Sequence, residues 1–461
     1  MAGDSRAGAS GSGFGASGQG AGKGAAAANG GGGAGTGTGG TTANAGGSAG
    51  SGSAGSDTGG SAGAVAEAGQ SGAGTGGATA DASAELFDPA RLPRFDITLS
   101  ADAVAGLGSA PDTYVRGTLR YGSTTVENVG VRIKGEASLR TLSQKAAFKL
   151  KFDEFVTNQA FMGLHRLTLN NMVSDPTFIA ERLAYRVFVA AGLPAPRCNS
   201  ALVYVNDEFY GVYANVESED KPFLRRWFAD DSGNLYEDGQ VDFTANNEKF
   251  FDLETNTTKN DRSDLTRLIA ALDLASGDSY LTTLDAELDT DHYLHFAALE
   301  GLLNQWDGYS YTYFEPNNFR VYHDPTRNKF VLLPWGLDLT LKPFPYSSSA
   351  QIPLFKVPRY QDDVDPNNQR DAGGLLLKKC FESAACKTRY AAVLREVLTL
   401  YGSLQLEALA AQHYAQIKEH VYAETRAEYT PEQFEAAYQS LLSLLHNRAA
   451  AVQSDLTAAG L

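Results

Sequence analysis

The chain has 461 residues and a formal net charge of −16, and 30 of its 49 glycines fall in the first 80 positions. Gly, Ala, Ser and Thr run almost unbroken from Ala7 to Ala82; such a stretch has no apolar period and cannot offset an ordering cost of about 1–2 kcal/mol per residue, so it predicts a disordered linker over 1–84 ahead of one folded domain, 85–461. The acidity lies on that domain without clustered Lys and Arg, which excludes general nucleic-acid binding, and no run of 18 apolar residues is present, which excludes a transmembrane helix in this sequence.

The first part of the domain alternates apolar and polar residues as strands do. RFDITLS, Tyr114–Tyr121, Val126–Lys134, Ala146–Phe155 and HRLTLNN all follow the pattern. After Asp175-Pro176 the period becomes 3.6, with Phe178, Leu183, Val187 and Phe188 forming an apolar stripe that Gly192-Leu193-Pro194 ends. Strands Ser200–Val205 and Glu208–Val216 meet at Asn206-Asp207, a two-residue hairpin turn. A short helix over Lys221–Phe228 precedes Gly- and Asp-rich loops to Asp261, then helices near 263–275, 282–287 and 291–303. Asn318–His323 and Phe330–Leu333 read as a hairpin across Asp324-Pro325, 343–375 as a long surface loop, and the remainder as helical. A β-rich front lobe of about 85–220 and a mixed, then helical, rear lobe of about 221–461 make an α+β fold.

Three segments hold polar residues that packing does not require. Arg132 and Lys134 share one strand face and Lys145 opens the next strand, an arrangement suited to phosphate oxygens, with a solvated strand face as the plain alternative. Asn170, Asn171 and Asp175 cluster where a strand runs into a helix; Ser174 or Asp175 is a ready N-cap, and the helix start offers free N–H groups to an anion. Asp307 ends a helix, Asn318 opens the hairpin and Asp338 follows its close. Two carboxylates and an amide oxygen are hard donors suited to Mg²⁺ or Mn²⁺, and the order Asp, Asn, Asp is that of phosphoryl-transfer sites. The alternative is a pair of turn aspartates.

These stretches together resemble the CotH family of spore-coat-type atypical protein kinases. The resemblance runs through RIKGEASLR, QKAAFKLKFDEF, LTLNNMVSDPTFIAERLAYRVFVAAGLPAPR, VYVNDEFYGVYANVES, NQWDGYS, NNFRVYHDP and KFVLLPWGLDLTL, in order over about 115–345. It implies an atypical protein-kinase-like fold and ATP- and divalent-metal-dependent phosphorylation of Ser or Thr on secreted, coat or cell-surface proteins. Carried over residue by residue, it gives Asp307 and Asp338 as catalytic, Asp338 and Asn318 as metal ligands, and Lys145 and Arg132 as holding ATP, with Glu217 orienting Lys145. Three departures stand out, the first being about eight extra residues, around SYTYFEPN, between Asp307 and Asn318. Gly336 occupies a position where many members carry a carboxylate, and Leu341-Lys342 replaces Phe-Gly. A pseudokinase or surface adhesion protein that keeps the fold without transfer is therefore the alternative. A metal-dependent hydrolase built on Asp307 and Asp338 ranks below both, since no histidine stands near either motif.

MAGDSRAGAS has no apolar signal core. A Gly/Ala/Ser leader ahead of such a domain nonetheless predicts an exported protein of the cell surface or exterior, held away from a lipoprotein-type anchor not visible in this sequence. Cys380 and Cys386 bracket a short loop and are either bonded or free; Cys198 is left over and buried.

Overall fold

A computed structural model describes residues 81–461, apart from 313–314, 344–350, 358, 362–368 and 372. The expected disordered leader lies, up to residue 80, outside the described residues. The folded part begins slightly earlier than expected: Ser83 is buried, and Asp81 forms an ion pair with Arg197 at 2.5 Å.

The described chain runs β1 (Arg94–Leu99), α1 (Ala101–Ser109), β2 (Val115–Tyr121), β3 (Thr124–Lys134), β4 (Ala147–Lys151), β5 (Arg166–Asn170), α2 (Ala180–Ala190), β6 (Cys198–Val205), β7 (Glu208–Glu217) and α3 (Lys221–Trp227). It continues through β8 (Leu235–Glu237), β9 (Asp252–Leu253), α4 (Ser263–Leu274), α5 (Tyr280–Leu284), α6 (Thr290–Leu302), β10 (Phe319–Asp324) and β11 (Lys329–Pro334). A hairpin β12 (Arg359–Gln361) and β13 (Gln369–Asp371) leads into α7 (Leu375–Glu382), α8 (Ala384–Ser403), α9 (Leu406–Tyr422) and α10 (Pro431–Ala458). The fold is α+β, as expected.

The first seven strands close into a barrel in the order β1-β2-β3-β4-β5-β7-β6. Every pairing is antiparallel except β1 with β6, which joins residues more than one hundred apart in sequence. Alternation fills the interior with Phe95, Ile97, Val131, Ile133, Phe148, Leu150, Leu167, Leu169 and Tyr213. On β7 the other face is apolar too, and Val212, Ala214 and Val216 pack with α2 and the rear helices in the largest core. The β6–β7 turn places Asn206 and Asp207 at φ +50° and +66°, the left-handed conformations a two-residue hairpin requires. A second sheet runs β11-β10-β8-β9.

Several expectations change. α1 was not expected, and β8 and β9 lie where Gly- and Asp-rich loops were predicted. Phe178 is in the turn before α2 with φ +59°, so the apolar stripe starts outside the helix. Within 343–375, β12–β13 and the buried Ile352 and Leu354 replace a loop lying wholly on the surface. Cys380 and Cys386 form a disulfide joining the end of α7 to the first turn of α8, and Cys198 is free and half-buried. The last helix reaches back to the middle of the chain. Arg448 of α10, fully buried, donates from Nε to the Leu302 carbonyl at 2.9 Å and from Nη2 to that of Gly301 at 2.5 Å, satisfying carbonyls at the end of α6.

Candidate active site

On the barrel side, β3 ends in Lys134, whose Nζ donates to Asn170 Oδ1 at 2.7 Å. Asn170 ends β5 and donates through Nδ2 to both carboxylate oxygens of Glu181, at 2.9 and 3.0 Å. Glu181 is buried in the first turn of α2. Asp175 shapes the entry to that helix: one oxygen accepts from the Thr177 backbone and hydroxyl at 2.9 and 2.6 Å, the other from Ala180 N–H at 2.9 Å. Arg132 lies two residues before Lys134 on the same strand face, and the β3–β4 register sets Lys149 directly opposite Arg132. Burial pushes Lys149 down to about 8, assisted by the guanidiniums of Arg320 and Arg132.

On the opposite side, α6 ends and the chain turns through Asn304, at φ +56°, towards Asp307. Asn318, at the foot of β10, donates through Nδ2 to the Asp307 carbonyl at 2.8 Å and to Oδ2 at 2.7 Å. β11 leads through Trp335 into Gly336, at φ +55°, followed by a single 3₁₀ turn that carries Asp338. A side chain at 336 would run into the Asn318 amide oxygen. The glycine that departs from the family pattern is thus the residue that gives the Asn318 amide room beside Asp307. Trp335 lies between two cations, its ring centroid 5.6 Å from Lys134 Nζ and 5.1 Å from the Arg320 guanidinium. Lys342 Nζ donates to the carbonyls of Asp338, at 2.7 Å, and of Ser174, tying this turn to the α2 entry.

The two halves act on one another electrically. Burial and the neighbouring charge of Asp338 push Asp307 up to about 7, against the amides of Asn317 and Asn318. Burial raises Asp338 as well, and Lys342 and Lys134 oppose the rise. Burial and Asp338 push Glu181 up to about 8, while Asn170 and Lys134 hold it back. Burial draws Lys134 down, resisted by Glu181, Asp338 and Glu237. Asp307, Asp338, Asn318 and Lys134 therefore share one neighbourhood, with Glu181 and Asn170 behind the lysine.

Two residues expected here are engaged elsewhere. Lys145 is buried and pairs with Glu424 at 2.6 Å, and after burial the charges acting on it are those of Glu424 and Glu428. Glu217 does not orient it: that carboxylate binds Arg197 at 2.7 Å and Arg226, joining the start of β6 to α3. Arg132 stands on the cleft face beside Lys134. The reading of single residues did not select Glu181, Lys149 or Lys342. Alternation in Phe-Lys-Leu-Lys-Phe carried the signal for Lys149, whereas nothing local marks Glu181 as more than a first-turn acid.

So many raised carboxyl groups make stability depend on pH. Burial pushes Glu181 and Glu219 up to about 8, and Asp307 stands at about 7, all far above their unfolded values near 4. Above pH 6.5 the unfolded chain has released these protons and the folded chain still holds them, so stability falls as pH rises. Lys149, drawn down to about 8, opposes this fall weakly near pH 8, and histidines lowered by burial act in that opposite sense only below about 6.5. Without divalent cations, urea unfolding between pH 6.5 and 8 is expected to show a loss on the order of 2 kcal/mol. Glu181→Gln should show a smaller one; an equal slope in that variant would contradict the assignment.

Among the described residues no three His, Cys, Asp or Glu side chains form a preformed metal cage. Asp338, Asn318 and Asp307 fit Mg²⁺ or Mn²⁺ in a different manner, since such ions are commonly held by one or two carboxylates together with substrate phosphates and water. Among the described residues no helix is long and apolar enough to cross a membrane.

The model of the CotH kinase protein family matches residues 131–452. The chain is similar to inner spore coat protein H of Bacillus subtilis (strain 168), 25% identical over 199 residues, which is 40% of this chain and 52% of that protein. It is also similar to the inner spore coat protein H-like protein of the same organism, 28% identical over 79 residues, covering 17% of this chain and 24% of that protein. The chain thus spans about half the length of the first relative and a quarter of the second.

Proposed function

The chain belongs to the CotH kinase protein family, and from that premise we propose that it is an atypical protein kinase, transferring phosphate from ATP to Ser or Thr on secreted, coat or cell-surface proteins. The observation that carries the reading is the shared neighbourhood of Asp307, Asp338, Asn318 and Lys134 between the barrel and the second sheet. On this reading the barrel serves as the N-lobe of a kinase-like fold and the remainder as its C-lobe. Glu181 on α2 stands behind Lys134 as a helix glutamate stands behind the strand lysine of protein kinases, an analogy of roles.

Each residue has work suited to its surroundings. Lys134, oriented by Asn170, grips phosphate oxygens, and Arg132 and Lys149 extend the positive wall along the strands. Asp338 and Asn318 hold the divalent cation, which supplies neutralisation of phosphate charge when bound. Asp307 accepts the proton of the attacking hydroxyl, and Asn318 fixes the direction in which its carboxylate points. Relatives named as inner spore coat proteins support coat-protein substrates, and the Gly/Ala/Ser leader supports action at a surface.

Incubation with Mn²⁺ and γ-labelled ATP should label the protein itself or a generic basic substrate. Asp338→Ala should abolish the label while its melting temperature stays close to that of wild type. An unlabelled wild type that also gains no thermal stability from Mn-ATP would overturn the proposal in favour of a fold-retaining binding protein.

A further inference from the structure

Glu300 has no part in the chemistry above, yet its carboxylate is almost completely enclosed, at 1% exposure, in an otherwise apolar stretch of α6. A carboxylate in such surroundings is costly unless donors meet it. The donors come from one loop. One oxygen accepts from the backbone N–H of Tyr309 and the other from that of Ser310, both at 2.8 Å. The backbone carbonyl of the same residue accepts from Gln305 N–H, also at 2.8 Å. Gly308 lies against this carboxylate, and a side chain there would run into Oε1. Asp307 is therefore bracketed: Gln305 before it and Tyr309 and Ser310 after it are all tied to one buried residue.

An apolar side chain would pack α6 equally well, since Leu294, Phe296, Ala297 and Leu299 around it do so. What leucine or methionine cannot do is accept two N–H groups that the loop turns inward. From the other side Asn318 holds the Asp307 carboxylate itself. We propose that Glu300 is a positioning residue for Asp307, its carboxylate fixing from below the loop whose upper face Asn318 fixes. The inference rests on the reading of Asp307 as the hydroxyl-orienting base. Loosening one of two supports shifts that base, and a displacement of about 1 Å is worth on the order of 100-fold in rate.

The test uses two variants that reach the same loop by different routes. Glu300→Gln replaces one acceptor with an NH₂ group that faces an N–H. Gly308→Ala leaves Glu300 in place and removes the room it needs. In both, backbone N–H exchange at Tyr309 and Ser310 should quicken by about 10-fold or more, with barrel exchange unchanged. The kcat should fall about 10- to 100-fold while KM for ATP stays within about two-fold, because Lys134, Arg132 and Lys149 are untouched. Unchanged exchange overturns the inference, as does quickened exchange with wild-type kcat. A fall in kcat accompanied by a parallel rise in KM and a general loss of barrel protection also overturns it, in favour of a purely structural role. A wild-type protein that transfers no phosphate fails the kinase reading instead, and the exchange measurement then still decides whether Glu300 holds the loop.

Discussion

Glu424→Gln is expected to cost about 3–5 kcal/mol of stability, the range for breaking a buried ion pair from one side. Glu424 and Lys145 have side-chain exposures of 0% and 2% and meet at 2.6 Å. Glu424 also accepts from Val212 N–H at 2.5 Å. It reaches there because Gly211, at φ +130°, has no side chain; a Cβ at that position would lie 2.5 Å from the carboxylate carbon. Aromatic rings cover the ammonium, with Phe178 and Tyr213 centroids 4.5 and 5.3 Å away. Burial draws Lys145 down and Glu424 up, and each opposes the shift of the other. Lys145→Met should therefore lose a similar amount, and the double variant Lys145→Met, Glu424→Leu should recover much of it, since neither charge is then buried alone. Urea unfolding of the four proteins gives the coupling directly. A stable Lys145→Met that fails to bind ATP would return this lysine to the phosphate wall. The pair is one of several bonds through which the α9–α10 connection holds the barrel. Arg140 binds Glu428, Arg426 meets Glu208 at 2.6 Å, and the Tyr429 hydroxyl donates to the Val173 carbonyl at 2.5 Å.

Lys134→Met is expected to lower kcat/KM by about 100- to 1000-fold, the range seen when one preorganised donor to a developing charge is removed. Its Nζ has a fixed direction because Asn170 holds it and Glu181 holds Asn170. Glu181→Gln should cost less, about 10-fold, since it acts through the lysine. Steady-state kinetics with Mn-ATP, alongside the Lys145 variant, separates the two lysines. Comparable transfer by Lys134→Met and wild type would remove this lysine from the site.

The two lysines also mark how far the sequence could be read. Both stand at strand ends before glycine or alanine, and local pattern gives no reason to choose between them. The choice is made by partners far away, Glu181 for one and Glu424, 279 residues on, for the other. Glu217 deceived for the same reason, since Arg197 and Arg226 claim it only after the β6–β7 hairpin folds back. That Asp307, Asn318 and Asp338 lie near one another was legible because a helix end and one hairpin bring them together locally. The hairpin at Asn206-Asp207 was legible because the turn itself is chemically specified. Barrel closure was not, because the parallel β1–β6 pairing leaves no mark on either strand. β8 and β9, three and two residues long, are too short to display a period. α1, written ADAVAGLGS, hides its helix behind two glycines.

Arg448 adds a dependence over distance. The carbonyls it caps end α6, five residues before Asp307, yet it stands on α10, 146 residues beyond Leu302. Local N–H groups of Leu303 and Asn304 also reach the Gly301 carbonyl, so the Leu302 carbonyl is the one that depends on Arg448, just ahead of the loop that carries Asp307. A fragment that holds all the aspartates, lysines and asparagines of the proposed site but lacks α10 would lack that support. Truncation ahead of α10 should thus disturb the Asp307 loop without removing a single residue from it.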